Sequence, residues 1–174
     1  SDRTPATRIV AAALDSGPTA RQGVSTVERT RVAVMGAGSV GTYIGGWLAA
    51  GADVTLVGRP HLVDAIERDG LTVTDLRGRT REVRPDALTL ATEASAIVGA
   101  DIVLLTTKTL DLQAAVAQIA PYLGHDSIVL SFQNGLRNAS AIDEALAGAF
   151  PSRASRPLVL SGMVPFNVVR SGET

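Results

Sequence analysis

"RVAVMGAGSVGTYIGGWLAAGADVTLVGRP", residues 31–60, is the stretch on which the fold turns. Arg31 to Met35 is a short β-branched run ending in glycine, and beyond it Val40, Ile44, Trp47 and Leu48 recur at helical spacing. "DVTLVGR" (53–59) supplies a second strand, so the order is strand, turn, helix, strand. Gly36, Gly38 and Gly41 fit G-x-G-x-x-G at the junction of strand and helix, the context that lifts this spacing above chance. Gly36 suits a tight turn, Gly38 lets backbone approach a pyrophosphate, and Gly41 lets helix and strand pack closely. The phosphates then sit at the positive helix N-terminus.

Outward from this unit the alternation continues. "HLVDAIERDG" (61–70) reads as a short helix stopped by Gly70, and "LTVTDLRGRTREVRP" alternates about a polar turn at Asp75 to Gly78, an inserted hairpin. "ADIVLLTTK" (100–108) is a continuous apolar run of the kind buried on both faces of a parallel sheet. A helix over 109–123, a strand at 127–135, a helix at 138–150 and a last strand within 156–169 complete the series. The pattern predicts one α/β domain over 31–174, a doubly wound, mostly parallel sheet with helices on both faces.

Residues 1–30 differ in texture, mixing Ser, Thr, Pro, Gly and Arg around one apolar island, Ile9 to Leu14, and read as a flexible tail. Arg3 and Arg8 ahead of that island imitate a signal peptide, but the island is short and lacks a clear cleavage site. The chain of 174 residues is 45% hydrophobic with a formal net charge of −1, which disfavours both disorder and nucleic-acid binding and points to a small-molecule partner. No apolar run is long enough for a membrane span. With no cysteine and two distant histidines, a metal site has no support, and a reducing cytoplasm is the expected location.

Three polar residues stand at the predicted carboxyl edge of the sheet, where ligands bind in open α/β folds. Strand two ends in Gly58, Arg59 and Pro60 where an NAD site would place a carboxylate; a guanidinium there can pair with a 2′-phosphate, which favours NADP(H). The competing explanation is a solvated surface arginine. Of sixteen basic side chains only Lys108 is a lysine, at the end of "DIVLLTTK", either a ligand contact or a chance placement. Asn134, in "FQNG", could both donate to and accept from a ribose or substrate hydroxyl, or could be the turn residue that Asn-Gly pairs commonly provide. Ser39 and Val40 in the loop and Thr107 beside Lys108 complete the expected cofactor set.

Taken together, "VMGAGSVGTYIGGWLAAGADVTLVGR", "LLTTKT", "SFQNGLRN" and "LSGMVPFNVV" resemble the N-terminal domain of the ketopantoate reductase (2-dehydropantoate 2-reductase) family, from about residue 31 to the end of the chain. The resemblance implies a Rossmann domain carrying NADPH and hydride transfer to the 2-keto group of ketopantoate, on the route to pantothenate. Arg59 would match the family's 2′-phosphate contact, Lys108 its cofactor-side lysine, and Asn134 the asparagine near nicotinamide and substrate. Family members continue into a helical second domain that supplies the lysine acting as general acid. That domain is expected to be absent here, and no replacement for its acid is found, since the one lysine is already assigned and His61 and His125 read as surface histidines. The chain is therefore expected to bind cofactor and to turn over substrate weakly or not at all, its partners being a 2-keto acid and a second copy or a separate C-terminal domain. The alternatives are a reductase of another 2-keto acid and a non-catalytic NADP(H)-binding module.

Overall fold

A computed structural model describes residues 28–107, 112–132, 138–164 and 167–169. Six parallel strands form the sheet: β1 (Arg31–Met35), β2 (Asp53–Val57), β5 (Leu88–Ala91), β6 (Ile102–Leu105), β7 (Ile128–Ser131) and β8 (Leu158–Ser161). Their order across the sheet is β5-β2-β1-β6-β7-β8. With the hairpin β3 (Leu71–Thr74) and β4 (Thr80–Val83) set aside, this is the 3-2-1-4-5-6 order of the Rossmann fold.

Alternation along each strand divides the core into two layers. Val32, Val34, Val54, Leu56 and Leu104 point to the side covered by α1 (Ser39–Leu48) and α2 (Pro60–Asp69), where Ala37, Leu48 and Ile66 meet them. Ala33, Met35, Val103, Leu105 and Val129 point to the side of α3 (Leu112–Ile119) and α4 (Asn138–Ala147), against Val116, Ile119, Ile142 and Leu146. Both faces are thus dry, which explains why β1 and β6 read as continuous apolar runs. Burial of each such side chain stabilises the fold by roughly 1.5–3 kcal/mol.

The element boundaries follow local chemistry. Pro60 opens α2 with its φ preset and no N–H to satisfy, while Gly70, at φ 72°, lets the chain leave the helix for β3. β2 stops at Val57 instead of running to Arg59: Gly58 gives a last bond to the end of β5, at Ala91 O (2.9 Å), and Arg59 becomes the N-cap of α2. The helix expected to run to residue 123 ends at Ile119 and tightens to a 3₁₀ turn at Ala120–Tyr122, since Pro121 can donate no helical bond. α4 ends at Ala147, before Gly148.

The hairpin is a separate two-stranded sheet, as its alternation suggested. Asp75 shapes its turn by accepting from the N–H groups of Arg77 and Arg79, both at 2.9 Å. It docks on α1 at Gly46, where an added Cβ would stand 2.8 Å from Val73. The guanidiniums of Arg79 and Arg81 lie over Trp47 on the same helix.

At the amino edge of the sheet, Asp101 ties three strands together. Its carboxylate accepts from Arg31 N (2.8 Å) and from the Arg31 guanidinium (3.0 Å), its N–H donates to Arg31 O, and its carbonyl accepts from Ile128 N. The Arg31 side-chain hydrogen bond, followed by the Arg31 N–H, holds the Asp101 carboxyl below the usual carboxylate range. A lowered folded pKa contributes stability that is present above the ordinary carboxylate pKa of about 3.9 and is lost as pH falls through the folded value. Asp101→Asn is accordingly expected to lower the melting temperature at neutral pH and to reduce the stability lost on acidification below about pH 4. Identical stability–pH curves for the two proteins would contradict this assignment.

Candidate functional site

The glycine loop runs from the end of β1 to the start of α1, on the carboxyl edge of the sheet. Gly36 adopts φ 107°, a region closed to most side chains, and an added Cβ would also strike Thr107 at 2.9 Å. The N–H groups of Gly36 and Ala37 both reach Val57 O (3.0 and 2.9 Å), which pins the loop to the end of β2. A Cβ on Gly58 would meet that of Ala37 at 2.7 Å, so the exit of β2 and the loop fit closely together.

The three loop glycines have different jobs. Gly38 is exposed, and a Cβ added there would meet nothing within 4 Å. Gly41 is buried, and a Cβ there would collide with Gly36 O and approach Thr106 Oγ1 at 2.5 Å and Val34 at 3.0 Å. Close packing of helix on strand was the expected reason for Gly41. The tighter constraint is the loop's own carbonyl and Thr106, the residue that follows β6.

Gly38 is the N-cap of α1 and the helix has no side-chain cap. The first helical bond runs from Thr42 N to Gly38 O (2.8 Å), so the N–H groups of Ser39, Val40 and Gly41 have no intrahelical acceptor. Three amide donors at a helix N-terminus, beside open space at Gly38, fit an anionic phosphate without rearrangement. The residues present therefore fit a dinucleotide pyrophosphate.

Arg59 is exposed at the N-cap of α2, directly after the β2 end that packs on the loop, and among the described residues its side chain makes no ion pair or hydrogen bond. No acidic residue stands in the first turn of α2. Thr107 is half-buried against Gly36. The structure thus brings Gly36, Gly38, Ser39, Val40, Gly41, Arg59 and Thr107 to one edge. Lys108 and Asn134 lie outside the described residues.

Neither histidine adds chemistry here. His61 is exposed in the first turn of α2, and His125 precedes β7 at the amino edge, where Nδ1 pairs with Ser155 O (2.9 Å) and the ring packs edge-on against Phe150. A cleft of about 720 Å³ opens between α1, α2, the hairpin and residues 167–169. It reaches the loop through Ser39 and Thr42 but includes neither Arg59 nor Thr107, so it is a neighbour of the phosphate site and not the site itself.

Sequence reasoning missed two threonines. Thr42 Oγ1 lies 2.9 Å from Ala37 O and 2.7 Å from Gly38 O, and Thr106 Oγ1 lies 2.7 Å from Gly36 O. A hydroxyl one residue past the glycine motif, and another just past a buried strand, were the available signals. The contrast between glycines is testable by melting temperature. Gly41→Ala is expected to cost about 1–3 kcal/mol through overpacking, whereas Gly38→Ala leaves stability unchanged. Equal effects would refute the geometry described.

Comparison with known proteins agrees with this architecture. The family described as Ketopantoate reductase PanE/ApbA matches residues 32–174. The 2-dehydropantoate 2-reductase of Halobacterium salinarum is 40% identical over 120 residues, 66% of this chain and 37% of that protein. A glycerol-3-phosphate dehydrogenase (NAD(P)+) of Rhizobium johnstonii is 36% identical over 112 residues, covering 63% of this chain and 33% of that protein. The matched stretch is thus about a third of these relatives' own length. The crystal structure of a PanE/ApbA family ketopantoate reductase from Ralstonia eutropha JMP134 superposes with a TM-score of 0.61 at 30% identity, over 76% of this chain and 56% of that one. Among the described residues no helix is long and apolar enough to cross a membrane. The family match begins at Val32, the first buried residue of β1, and runs through every strand and helix of the domain; the chain belongs to the ketopantoate reductase PanE/ApbA family of oxidoreductases.

Proposed function

We propose that this chain is the NADPH-holding part of a reductase that converts ketopantoate to pantoate in pantothenate biosynthesis. The observation that carries the reading is the pairing of a helix start with three unsatisfied amides and an exposed arginine, with no carboxylate, at the end of β2. The amides of Ser39, Val40 and Gly41 bind the pyrophosphate, and Arg59 pairs with the 2′-phosphate that distinguishes NADPH from NADH. Bound NADPH supplies the hydride.

Two further roles rest on the sequence. In the sequence Lys108 comes shortly after β6 and is assigned to the cofactor, and Asn134 comes shortly after β7 and is assigned to orienting the nicotinamide and the substrate. Reduction of a ketone also needs a proton at the developing alkoxide. Among the described residues at the carboxyl edge none is assigned this role: Arg59 is given to the 2′-phosphate and His61 lies exposed in the first turn of α2. The general acid is assigned to protein beyond the Rossmann domain, either on a further domain or on a second copy.

The likeness to the Rhizobium johnstonii dehydrogenase favours a second reading, in which the same cofactor domain serves another small hydroxy or keto compound. Ketopantoate, other 2-keto acids and glycerol-3-phosphate, each with its matching cofactor form, separate the two.

Wild-type protein is expected to bind NADPH at least about tenfold more tightly than NADH, a difference near 1.4 kcal/mol, and Arg59→Ala to remove most of that gap. Equal affinities for the two dinucleotides in a fluorescence titration of the wild type would overturn the assignment of Arg59. In a second experiment, ketopantoate is added to the NADPH-loaded chain and absorbance loss is followed at high protein concentration against cofactor-only controls. Weak or no turnover is the expected result. Fast turnover by the monomeric chain would place the proton donor within these residues and end the argument for an outside acid.

A further inference from the structure

The hydrogen bonds of the glycine loop divide its amides from its carbonyls. Gly36 O accepts from Gly38 N and from Thr106 Oγ1, both at 2.7 Å, and is wedged against Gly41. Ala37 O has Thr42 Oγ1 at 2.9 Å, and Gly38 O accepts from Thr42 N at 2.8 Å with the same hydroxyl at 2.7 Å. Every carbonyl of the loop is engaged inward, while the amides of Ser39, Val40 and Gly41 are left for a ligand. A carbonyl turned the other way would present negative charge to a phosphate.

The Gly36–Ala37 peptide is held at its N–H by Val57 O (2.9 Å) and at its carbonyl by Gly38 N and Thr106 Oγ1 (both 2.7 Å), so the hydroxyl is the one side-chain bond that fixes which way the carbonyl faces. Glycine has ready access to conformations on both sides of φ 0°, so no side chain of its own holds the peptide plane. Thr106 does so from a distance of seventy residues in sequence, and its hydroxyl also bonds Met35 O more weakly, at 3.3 Å. Thr42 is the lesser constraint, because bonding back to the carbonyl four residues earlier is ordinary behaviour for a helical threonine.

We propose that Thr106 is a positioning residue for the dinucleotide: its hydroxyl locks the Gly36 carbonyl inward and so keeps the phosphate site lined by N–H groups. The inference rests on the loop being a pyrophosphate site. Thr106 touches the loop and not the phosphates, and its effect is confined to the pyrophosphate half of the ligand. Arg59 reads the adenosine phosphate from the N-cap of α2 and is untouched by the lock.

Two probes on the full chain separate these halves. NADPH carries both the pyrophosphate and the 2′-phosphate, whereas adenosine 2′-monophosphate carries only the latter. Thr106→Val, which keeps the shape and removes the hydroxyl, is expected to weaken NADPH about tenfold while leaving adenosine 2′-monophosphate within about twofold of wild type, and Thr106→Ser is expected to restore NADPH binding. Should the valine protein fold poorly, Thr106→Ala carries the same expectation. Unchanged NADPH affinity in a folded variant without the hydroxyl, or an equal loss for both probes, overturns the inference. A wild-type chain that binds no NADPH removes the cofactor reading and the lock together; a wild-type chain that binds beside an equally competent valine form removes the lock alone.

Discussion

The close crossing of α1 over the centre of the sheet is the constraint on which the rest of the structure depends. It is made possible by side chains that are missing. At Gly45 a Cβ would stand 2.6 Å from Leu56, and at Gly41 it would overlap the loop carbonyl, so the helix backbone rests almost directly on β1 and β2. That proximity lets aliphatic side chains, Val, Leu, Ile and Ala with no buried aromatic ring, fill the first layer of the core. It also draws the helix N-terminus to the sheet edge, where the amides of its first turn become a binding surface. Packing and ligand geometry thus have one cause.

The two edges of the sheet are built differently. At the amino edge, Asp101 and Arg31 join β1 to β6, and Arg156 reaches Phe150 O and the Asp143 carboxylate to hold α4 beside β8. Charged side chains satisfy one another there and leave little for a ligand. Among the described residues at the carboxyl edge, the amides of the first turn of α1 and the exposed Arg59 guanidinium are left open, while the Thr42 and Thr106 hydroxyls are turned onto loop carbonyls. Polar capacity is retained where a dinucleotide would use it and consumed elsewhere.

Much of this was legible in the sequence because it depended on local rules. The glycine spacing between a strand and a helix, Pro60 and Gly70 as punctuation, and the Asp75 to Gly78 turn all act within a few residues. β5 was not visible: Leu88–Ala91 is four residues long, half-exposed, and a strand only because β2 offers it a partner. The connection after it was equally hidden, since a 3₁₀ turn at Ala94–Ile97 stands where another α/β unit would carry a full helix. Thr106 escaped for the same reason. Its partner is seventy residues away, and no periodicity within β6 marks a hydroxyl that belongs to the loop after β1.

Trp47 is the only tryptophan of the chain and sits at the joint between α1 and the hairpin, edge-on to Tyr43 and beneath two guanidiniums at 5.5 and 5.9 Å. It lies outside both apolar layers. Intrinsic emission from this protein is therefore a gauge of how the hairpin sits on its helix, and cationic neighbours so near the indole tie its wavelength to that contact. Tryptophan emission thus reports on this joint, where the backbone's circular dichroism reports on the sheet and helices as a whole.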